Sequence, residues 1–412
     1  MDSEKKAPEI RFGGYSEPWN EQILGDAATF LKGSGYSKAD LTDTGTPIIL
    51  YGRLYTKYET TIDEVDTYAA MKGSAVFSQG GEVIVPSSGE TSEDIARASA
   101  VAQPGVILGG DLNIVRANES VDPAFLALTI SNGTPHRELI KKAQGKSVVH
   151  IRNSDLKEIE FFAPEVNEQS AIGNFFRNLD DIIALKKQQH EQTANIKKAM
   201  LEKMFPKNGA DAPEIRFEGF VGAWEMATFG TVCNIVRGGS PRPIESYVTT
   251  LPNGINWIKI GDVDKNAKYI KRTEEKIKPE GLPMSRLVKA GDFILSNSMS
   301  FGRPYIMQIE GCIHDGWLAI QNYTEKFDTE FLYYLLASDC VLRQYRERAA
   351  GSTVKNLNKD LVASIDVVIP HIDEQLAIAK YMSALDNLID AYQEELEKLQ
   401  NIKSACLSKM LV

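Results

Sequence analysis

The sequence predicts an α+β protein with two homologous mixed α/β domains, separated by a long antiparallel two-helix coiled coil in a pseudo-twofold internal repeat. Three observations predict this fold class. The hexapeptide APEIRF occurs at residues 7–12 and again at 212–217, 205 positions apart. Short apolar runs of strand length fill the first part of each half. A long segment with heptad spacing and almost no helix breaker ends each half.

The hexapeptide is one part of a much longer repeat. In the same order along both halves, Trp19 matches Trp224, FLKGSG (30–35) matches IVRGGS (235–240), GEVIVPSS (81–88) matches GDFILSNS (291–298), and FFAPEVNEQSAI (161–172) matches VVIPHIDEQLAI (367–378). Two copies are too few for a solenoid, so the pattern indicates a tandem duplication. The predicted boundaries are 1–160 for the first domain, 161–206 for the first long helix, 207–366 for the second domain and 367–412 for the second long helix.

The first part of each half is predicted to be a mixed α/β domain with long loops. TPIILYG and EVIVPSS in the first half, and INWIKIGDV and DFILSNS in the second, are β-branched runs bounded by Gly, Pro or Ser. A helical stretch, DTEFLYYLLASDCVLRQYRE, interrupts the strands of the second half. Strands match between the halves whereas polar loops differ, which indicates one scaffold that carries two different surfaces.

Each half ends in a predicted helix of about 38 residues, or about 57 Å at 1.5 Å per residue. Asn167 and Asp373 are candidate N-caps. Apolar residues at alternating steps of three and four define a heptad seam. The predicted seam consists of Ile172, Phe176, Leu179, Ile183, Ile196 and Met200 in the first helix and Ile378, Met382, Leu385, Ile389, Tyr392, Leu396 and Leu399 in the second.

The two long helices are predicted to pair with each other. The short connection PKNGAD (206–211) cannot bring a chain back along the full helix length, so the pair should be antiparallel. By the same symmetry, the first APEIRF should lie near the end of the second helix. Lys186 and His190 fall on the seam, where polar residues either set register or extend to the seam edge. An oligomerisation zipper is the alternative use of the seam.

Composition excludes several classes of protein. The chain has 412 residues, a net charge of −10 and 43% hydrophobic residues, with no apolar run long enough to cross a membrane and no signal-peptide pattern at the N-terminus. The sequence therefore predicts a cytoplasmic protein, and its negative net charge argues against strong binding of nucleic acid by the chain alone. Cys233, Cys312, Cys340 and Cys406 form no CxxC pair, which predicts reduced thiols and no metal site.

The doubled order of motifs resembles the specificity subunit of a type I restriction–modification enzyme. LKGSG and VRGGSP, WIKIGDV, GDFILSNS, and the junctions NEQSAI and DEQLAI carry the resemblance, which covers essentially all 412 residues. The resemblance implies two target-recognition domains that each read half of a bipartite, asymmetric DNA sequence. It also implies that the long helices act as a ruler for the spacer and as conserved docking surface.

The same resemblance implies the partners. These are double-stranded DNA, two adenine-N6 methyltransferase subunits and, in some systems, two restriction (motor–nuclease) subunits. The chain itself would be non-catalytic and bind no cofactor, because S-adenosylmethionine would be held by the methyltransferase subunits.

Basic and polar loop residues are the candidate DNA contacts. Arg can pair with guanine and Asn with adenine in the major groove, whereas Lys and Ser more often hold phosphates. The candidates are Lys32, Ser34, Tyr36, Lys38, Tyr51, Arg53, Tyr55, Lys57, Ser87, Ser88 and Arg97 in the first domain, and Arg237, Ser240, Arg242, Lys259, Lys268, Asn297, Ser298, Ser300 and Arg303 in the second.

The sequence also allows two other functions to be compared with its motifs. A self-contained DNA-modifying enzyme would need a methyltransferase tetrapeptide and a Gly-rich cofactor loop, which the sequence lacks. Asp264, Glu274 and Lys276 fit a nuclease pattern only in one half, as a charged segment does by chance. A coiled-coil adaptor with two protein-binding domains and no direct DNA readout remains the alternative.

Overall fold

The computed structural model describes residues 7–143, 148–207, 209–264, 267–297, 302–349 and 357–412. These form two compact units: unit 1 comprises residues 1–188 and 394–412, and unit 2 comprises residues 189–393. The boundary therefore falls within both long helices. No helix among the described segments combines the length and apolarity that a bilayer crossing requires.

The described residues of unit 1 form fourteen short strands and the helices between them. The strands are β1 Asn20–Ile23, β2 Ala28–Lys32, β3 Leu41–Thr42, β4 Thr46–Ile49, β5 Thr61–Ile62, β6 Tyr68–Ala69, β7 Phe77–Gln79, β8 Glu82–Pro86, β9 Ser88–Gly89, β10 Ser99–Val101, β11 Pro104–Leu108, β12 Leu112–Ala117, β13 Val149–His150 and β14 Glu160–Ala163. The helices are α1 Leu24–Ala27, α2 Arg53–Thr56, α3 Ser92–Ile95, α4 Pro123–Asn132, α5 Thr134–Lys142, α6 Asn153–Lys157 and α7 Val166–Lys203, with a 3-10 helix at Lys38–Asp40.

Unit 2 repeats most of this element order, but its described residues include no counterpart of β9, α3 and β13. Its strands are β15 Glu225–Thr228, β16 Asn234–Arg237, β17 Val248–Thr249, β18 Ile255–Ile258, β19 Tyr269–Ile270, β20 Glu275–Ile277, β21 Arg286–Val288, β22 Phe293–Ser296, β23 Pro304–Met307, β24 Gly311–Ile313, β25 Trp317–Gln321 and β26 Asp366–Ile369. Its helices are α8 Phe229–Val232, α9 Thr329–Ala337, α10 Asp339–Ala349, α11 Lys359–Ala363 and α12 Ile372–Met410, with 3-10 helices at Ile244–Ser246, Ile260–Asp262 and Pro279–Met284.

Both units share one sheet topology. The strand orders β2-β12-β8-β10-β5 and β3-β6-β4-β11-β7 in unit 1 correspond to β16-β25-β22-β23-β19 and β17-β20-β18-β24-β21 in unit 2. In each five-stranded sheet one pair is parallel, such as β11 with β4 and β24 with β18. The central strand β8 is buried along its whole length, as its run of apolar residues predicts. The predicted duplication of a mixed α/β domain is confirmed.

The long helices begin later than the predicted boundaries of 161 and 367. Strand β14 pairs with β1 and strand β26 pairs with β15, so residues 160–163 and 366–369 complete a small sheet of their own unit. At the start of α7, the N–H groups of Glu168 and Gln169 donate to the carbonyl of Glu165. At the start of α12, the N–H groups of Glu374 and Gln375 donate to the carbonyl of His371. Asn167 and Asp373 therefore lie inside the first turn and do not cap the helices.

Within each unit the two long helices run antiparallel. In unit 1, Lys403 pairs with Asp180, and Lys186 Nζ lies 2.7 Å from Glu395 Oε2. In unit 2, Lys197 pairs with Asp386. Residue numbers rise along one helix as they fall along its partner, which confirms the predicted direction. Lys186 thus pairs with the facing helix.

The seam is apolar near each domain and mixed beyond it. The buried seam residues are Ile172, Phe176, Leu179 and Leu396 in unit 1 and Ile378 and Met382 in unit 2. The half-buried seam residues are Ile183, Met200, Leu385, Ile389, Tyr392 and Leu399. Ile196 is 46% exposed, so its assignment to the seam is wrong. Continuing the alternation of four and three from Ile183 arrives at Lys197, which bonds the facing helix.

The APEIRF segment fastens the start of each unit to both long helices. In unit 1, the N–H of Ile10 donates to the carbonyl of Lys409 at 2.9 Å, and both Arg11 Nε and Nη2 donate to the Glu168 carboxylate at 2.6 Å. The first copy therefore lies at the end of the second helix, as predicted. Phe12 packs edge-to-face on Phe175.

The second copy makes the same contacts in unit 2. The N–H of Ile215 donates to the carbonyl of Lys203 at 2.9 Å, and Arg216 donates twice to Glu374 at 2.7 Å. Glu168 and Glu374 are each 1% exposed. We call these two bidentate ion pairs the Arg–Glu clamps. The hexapeptide is repeated because both units need the same clamp.

The residue after each clamp glutamate joins the helix start to its domain. Gln375 accepts from the N–H of Asp328 at 2.8 Å, and it donates to the carbonyls of Lys326 and Pro370. Asp328 in turn caps α9 by accepting from the N–H of Phe331. Gln169 and Asp122 do the same at α4 in unit 1. The Glu-Gln pair of both junctions is therefore buried scaffold.

Candidate nucleic-acid interface

The candidate contacts of unit 1 gather around α2. Two adjoining clefts flank this helix and share Tyr51, Gly52 and Thr56. The first has a volume of about 620 Å³ and is also lined by Tyr36, Lys38, Arg53 and Lys57. The second, of about 570 Å³, is also lined by Tyr55, Ser88 and Arg97. The structure thus brings eight of the eleven predicted residues of this domain together.

Exposed side chains at the rims can reach a ligand. Lys38 projects from the 3-10 helix Lys38–Asp40 and is exposed. Tyr51 is 37% exposed on the ridge between the clefts and packs edge-to-face on Tyr55. Lys57 is half-exposed and lies 3.1 Å from Asp66 Oδ2, and this lysine lowers the pKa of Asp66. Arg97 donates to Asp94 at 2.7 Å.

Several predicted contacts of unit 1 belong instead to the scaffold, which corrects their assignment. Arg53 donates to Glu59, to Asp66 and to the carbonyl of Glu64, and its side chain is only 8% exposed. Tyr36 is buried, and its hydroxyl accepts from the N–H of Lys72. Ser34 and Ser87 are also buried, and Ser34 Oγ donates to the carbonyl of Leu108.

The remaining candidates of unit 1 are Tyr55, Ser88 and Lys32. Tyr55 donates to the carbonyl of Ser88 at 2.7 Å, and burial raises the pKa of this tyrosine. Ser88 Oγ lies 3.3 Å from His150 Nδ1. Lys32 is exposed at the end of β2, where partial burial lowers its pKa and Asp111 opposes that shift.

The candidate contacts of unit 2 converge on one loop residue, Asp315, between β24 and β25. Ser240 Oγ donates to Asp315 Oδ1 at 2.8 Å, and Arg242 Nη2 donates to Asp315 Oδ2 at 3.3 Å. Arg237 Nε and Asn297 Nδ2 donate to the carbonyl of Asp315 at 3.3 and 3.0 Å. Four predicted residues are therefore neighbours, around a residue that the sequence did not single out.

Other candidates of unit 2 lie elsewhere. Lys259 pairs with Glu275 at 2.8 Å, and this hydrogen bond raises the pKa of Lys259. The Arg303 guanidinium lies 5.8 Å from the ring centroid of Tyr305. Ser298 and Ser300 lie outside the described residues.

Lys268 is a scaffold residue, and its prediction as a DNA contact is corrected. Its ammonium group pairs with Glu330 and donates to the Tyr334 hydroxyl at 3.0 Å. The Lys268 side chain is only 14% exposed. The ring centroids of Tyr333 and Tyr334 lie 4.7 and 4.4 Å from the same Nζ. Tyr334 continues the network to Asp386 on α12.

Matching glycines hold the first loop of each interface against the sheet. A Cβ at Gly33 would lie 1.8 Å from the carbonyl oxygen of Gly109, and one at Gly238 would lie 2.0 Å from that of His314. The N–H of Gly33 donates a hydrogen bond to the carbonyl of Leu112, and the N–H of Gly238 donates one to the carbonyl of Trp317. These contacts explain why LKGSG and VRGGSP share a glycine, and they place Arg237 beside the Asp315 loop.

The chemistry available at these sites is polar recognition. All four cysteines are free, and burial raises the pKa of Cys233 to about 12. Among the described residues, no three His, Cys, Asp or Glu side chains group as a metal would require.

Comparisons with known proteins agree with this architecture. The family model described as the type I restriction modification DNA specificity domain matches residues 16–195 and 222–401. The MjaVIII specificity subunit of a type I restriction enzyme from Methanocaldococcus jannaschii is 22% identical over 324 residues, 76% of this chain and 74% of that protein. The putative MjaX specificity subunit of the same organism is 22% identical over 431 residues, 99% of this chain and 96% of that protein.

Two solved structures share the fold. The S subunit of a type I restriction–modification system from M. genitalium aligns with a TM-score of 0.55 at 16% identity, over 99% of both chains. The HsdS subunit from Thermoanaerobacter tengcongensis aligns with a TM-score of 0.51 at 18% identity, over 97% of this chain and 98% of that one. With both halves matched by one family model, this chain belongs to the type I restriction modification DNA specificity domain family and carries two copies of that domain.

Proposed function

We propose that this chain is the DNA-recognition subunit of a type I restriction–modification complex. Each unit reads one half of a bipartite, asymmetric target, and the chain holds two adenine-N6 methyltransferase subunits and, where they exist, motor–nuclease subunits. The chain contributes no catalysis, and S-adenosylmethionine is bound by the methyltransferase subunits. The complex acts on cytoplasmic DNA.

The observation that carries the proposal is one scaffold with two different polar surfaces. Both units share sheet order, clamp and loop glycine. In the loop after β2, however, unit 1 presents Lys38, with Tyr51 on a second loop above the two clefts, whereas in the loop after β16 unit 2 presents Arg242 held by Asp315. Because the donors differ, two equivalent domains would read different base sequences.

Exposed apolar residues on the long helices support a count of two partners. In unit 1, the Asp180–Lys403 pair places Ile182 and Ile402 at one level of the helix pair, 45% and 50% exposed. In unit 2, the Lys197–Asp386 pair does the same for Ile196 and Leu388, 46% and 41% exposed. We call these the apolar helix pairs. One equivalent pair per unit suits one identical partner per unit.

Removing one apolar helix pair should remove one partner. We expect the double substitution Ile182→Asp and Ile402→Asp to reduce the bound methyltransferase subunits from two to one, because a buried carboxylate opposes an apolar contact. Native mass spectrometry of the assembled complex counts the subunits. Met71→Asp is the control, since Met71 is 69% exposed on a loop of the same unit.

The same preparations test the function itself. The wild-type complex should bind and methylate target DNA, whereas the chain alone should not methylate and should bind DNA weakly, at one stated salt concentration. Methylation by the chain alone would contradict the proposal. Two partners retained by the double variant, or one lost by Met71→Asp, would contradict the assignment of the docking surface.

A further inference from the structure

The Asp315 carboxylate uses both of its oxygens to hold one loop of unit 2. Oδ1 accepts from Ser240 and Oδ2 accepts from Arg242, while the side chain of Asp315 remains 46% exposed and that of Arg242 77% exposed. The Ser240 hydrogen bond lowers the pKa of Asp315, so the carboxylate is ionised at neutral pH. The exposed Arg242 side chain is thus held by one carboxylate oxygen of Asp315.

The backbone of the same residue fixes the surroundings. Asn297 is buried, and its amide donates to the carbonyl of Asp315, as Arg237 also does. The N–H of Asn297 bonds Gly316 O, which joins the loop to the end of β22. The carboxylate therefore rests on a loop that is anchored to the central sheet, and both the side chain and the N–H of Asp315 face the loop that carries Ser240 and Arg242.

The equivalent loop of unit 1 also has an aspartate beside a base. Asp111 lies between β11 and β12 and interacts with Lys32, which ends β2 as Arg237 ends β16. The N–H of Ser87 bonds Asp111 O at 2.8 Å, as that of Asn297 bonds Gly316 O. These backbone hydrogen bonds align Asp111 with Gly316 and therefore Gly110 with Asp315, so the carboxylate that holds Arg242 belongs to unit 2 and is not part of the shared scaffold.

Resting on the proposed function, we propose that Asp315 is a positioning residue that orients Arg242 toward a guanine in the half-site read by unit 2. The carboxylate occupies one N–H of the guanidinium and leaves others free, and a guanidinium can pair bidentately with guanine O6 and N7. Holding the long side chain beforehand reduces the conformational entropy lost on binding. A guanine that matches the held guanidinium gains fully from this and a mismatched base gains less, so discrimination between bases is increased.

The test uses the assembled complex and DNA libraries randomised in both half-sites. Arg242→Ala identifies the base position that this arginine reads. We expect Asp315→Asn to reduce discrimination at that same position about tenfold, in keeping with the value of one bidentate contact. The other half-site should not change, and affinity for non-cognate DNA should stay equal or rise, because a negative charge is removed.

Controls separate positioning from folding and from charge. Ser240→Ala should shift discrimination at the same position to a smaller degree, which keeps the test open if Asp315→Asn fails to fold. Glu325→Gln makes the same charge change at an exposed site of unit 2 and should leave discrimination unaltered.

Two results would overturn the inference. One is unchanged discrimination in Asp315→Asn and Ser240→Ala, with a specific wild type; the other is an equal loss at both half-sites together with a lower melting temperature. A wild-type complex without discrimination at either half-site would overturn the proposed function and this inference with it.

Discussion

Replacing Arg216 with alanine is expected to lower the free energy of unfolding of unit 2 by about 3 kcal/mol, because it leaves a buried carboxylate unpaired. Glu374 is 1% exposed and takes both of its hydrogen bonds from this arginine. The loss should also free the APEIRF segment from α12. Hydrogen exchange resolved by segment, together with thermal unfolding, would measure both effects.

Two variants check the physical reason. Removing both charges, with Arg216→Met and Glu374→Leu, should cost less than Arg216→Ala alone, since no charge is left buried. Lys398→Ala, in an exposed pair with Glu394, should change stability by less than about 0.5 kcal/mol. A double variant as unstable as the single one would show that packing, not charge pairing, makes the clamp.

Replacing Gly238 with alanine should also lower the free energy of unfolding of unit 2 by about 3 kcal/mol, because the new Cβ overlaps rigid backbone. That Cβ would lie 2.0 Å from the carbonyl oxygen of His314, so β16 or the Asp315 loop must move. Arg237 would move with it. We expect a lower melting temperature and weaker discrimination in the half-site that unit 2 reads.

Gly261→Ala is the matched control in the same unit. A Cβ there meets nothing within 4 Å, so stability should change by less than about 0.5 kcal/mol. In unit 1, Gly33→Ala and its neighbour Gly35→Ala form the same comparison, since only the first meets backbone. Equal stability of Gly238→Ala and Gly261→Ala would refute the close approach.

The repeat made the architecture predictable. Because one unit is present twice, weak signals such as LKGSG and VRGGSP supported each other, and the short linker fixed the helix direction. The clamps were not predictable: Arg11 and Glu168 are 157 positions apart, and nothing local indicates that APEIRF meets NEQSAI. Such pairing depends on the tertiary fold.

The interface was predictable as regions and not as individual side chains. Within each unit the predicted loop residues do lie together, around 32–57 in unit 1 and 237–242 in unit 2, but composition cannot tell a free cation from one already paired. Arg53 and Lys268 are both basic residues, yet each is held by carboxylates inside its unit. Asp315 was overlooked because a search for DNA contacts favours basic residues, whereas a positioning carboxylate is acidic.

The central claim is that the two units read different halves of one target. Selection of bound sequences from a randomised library by the assembled complex measures this directly, with wild type, Arg242→Ala in unit 2, and Lys38→Ala with Tyr51→Ala in unit 1. We expect two separated blocks of preferred bases for the wild type, each flattened by one variant only. A single block, or both variants flattening the same block, would contradict the division of recognition between the units.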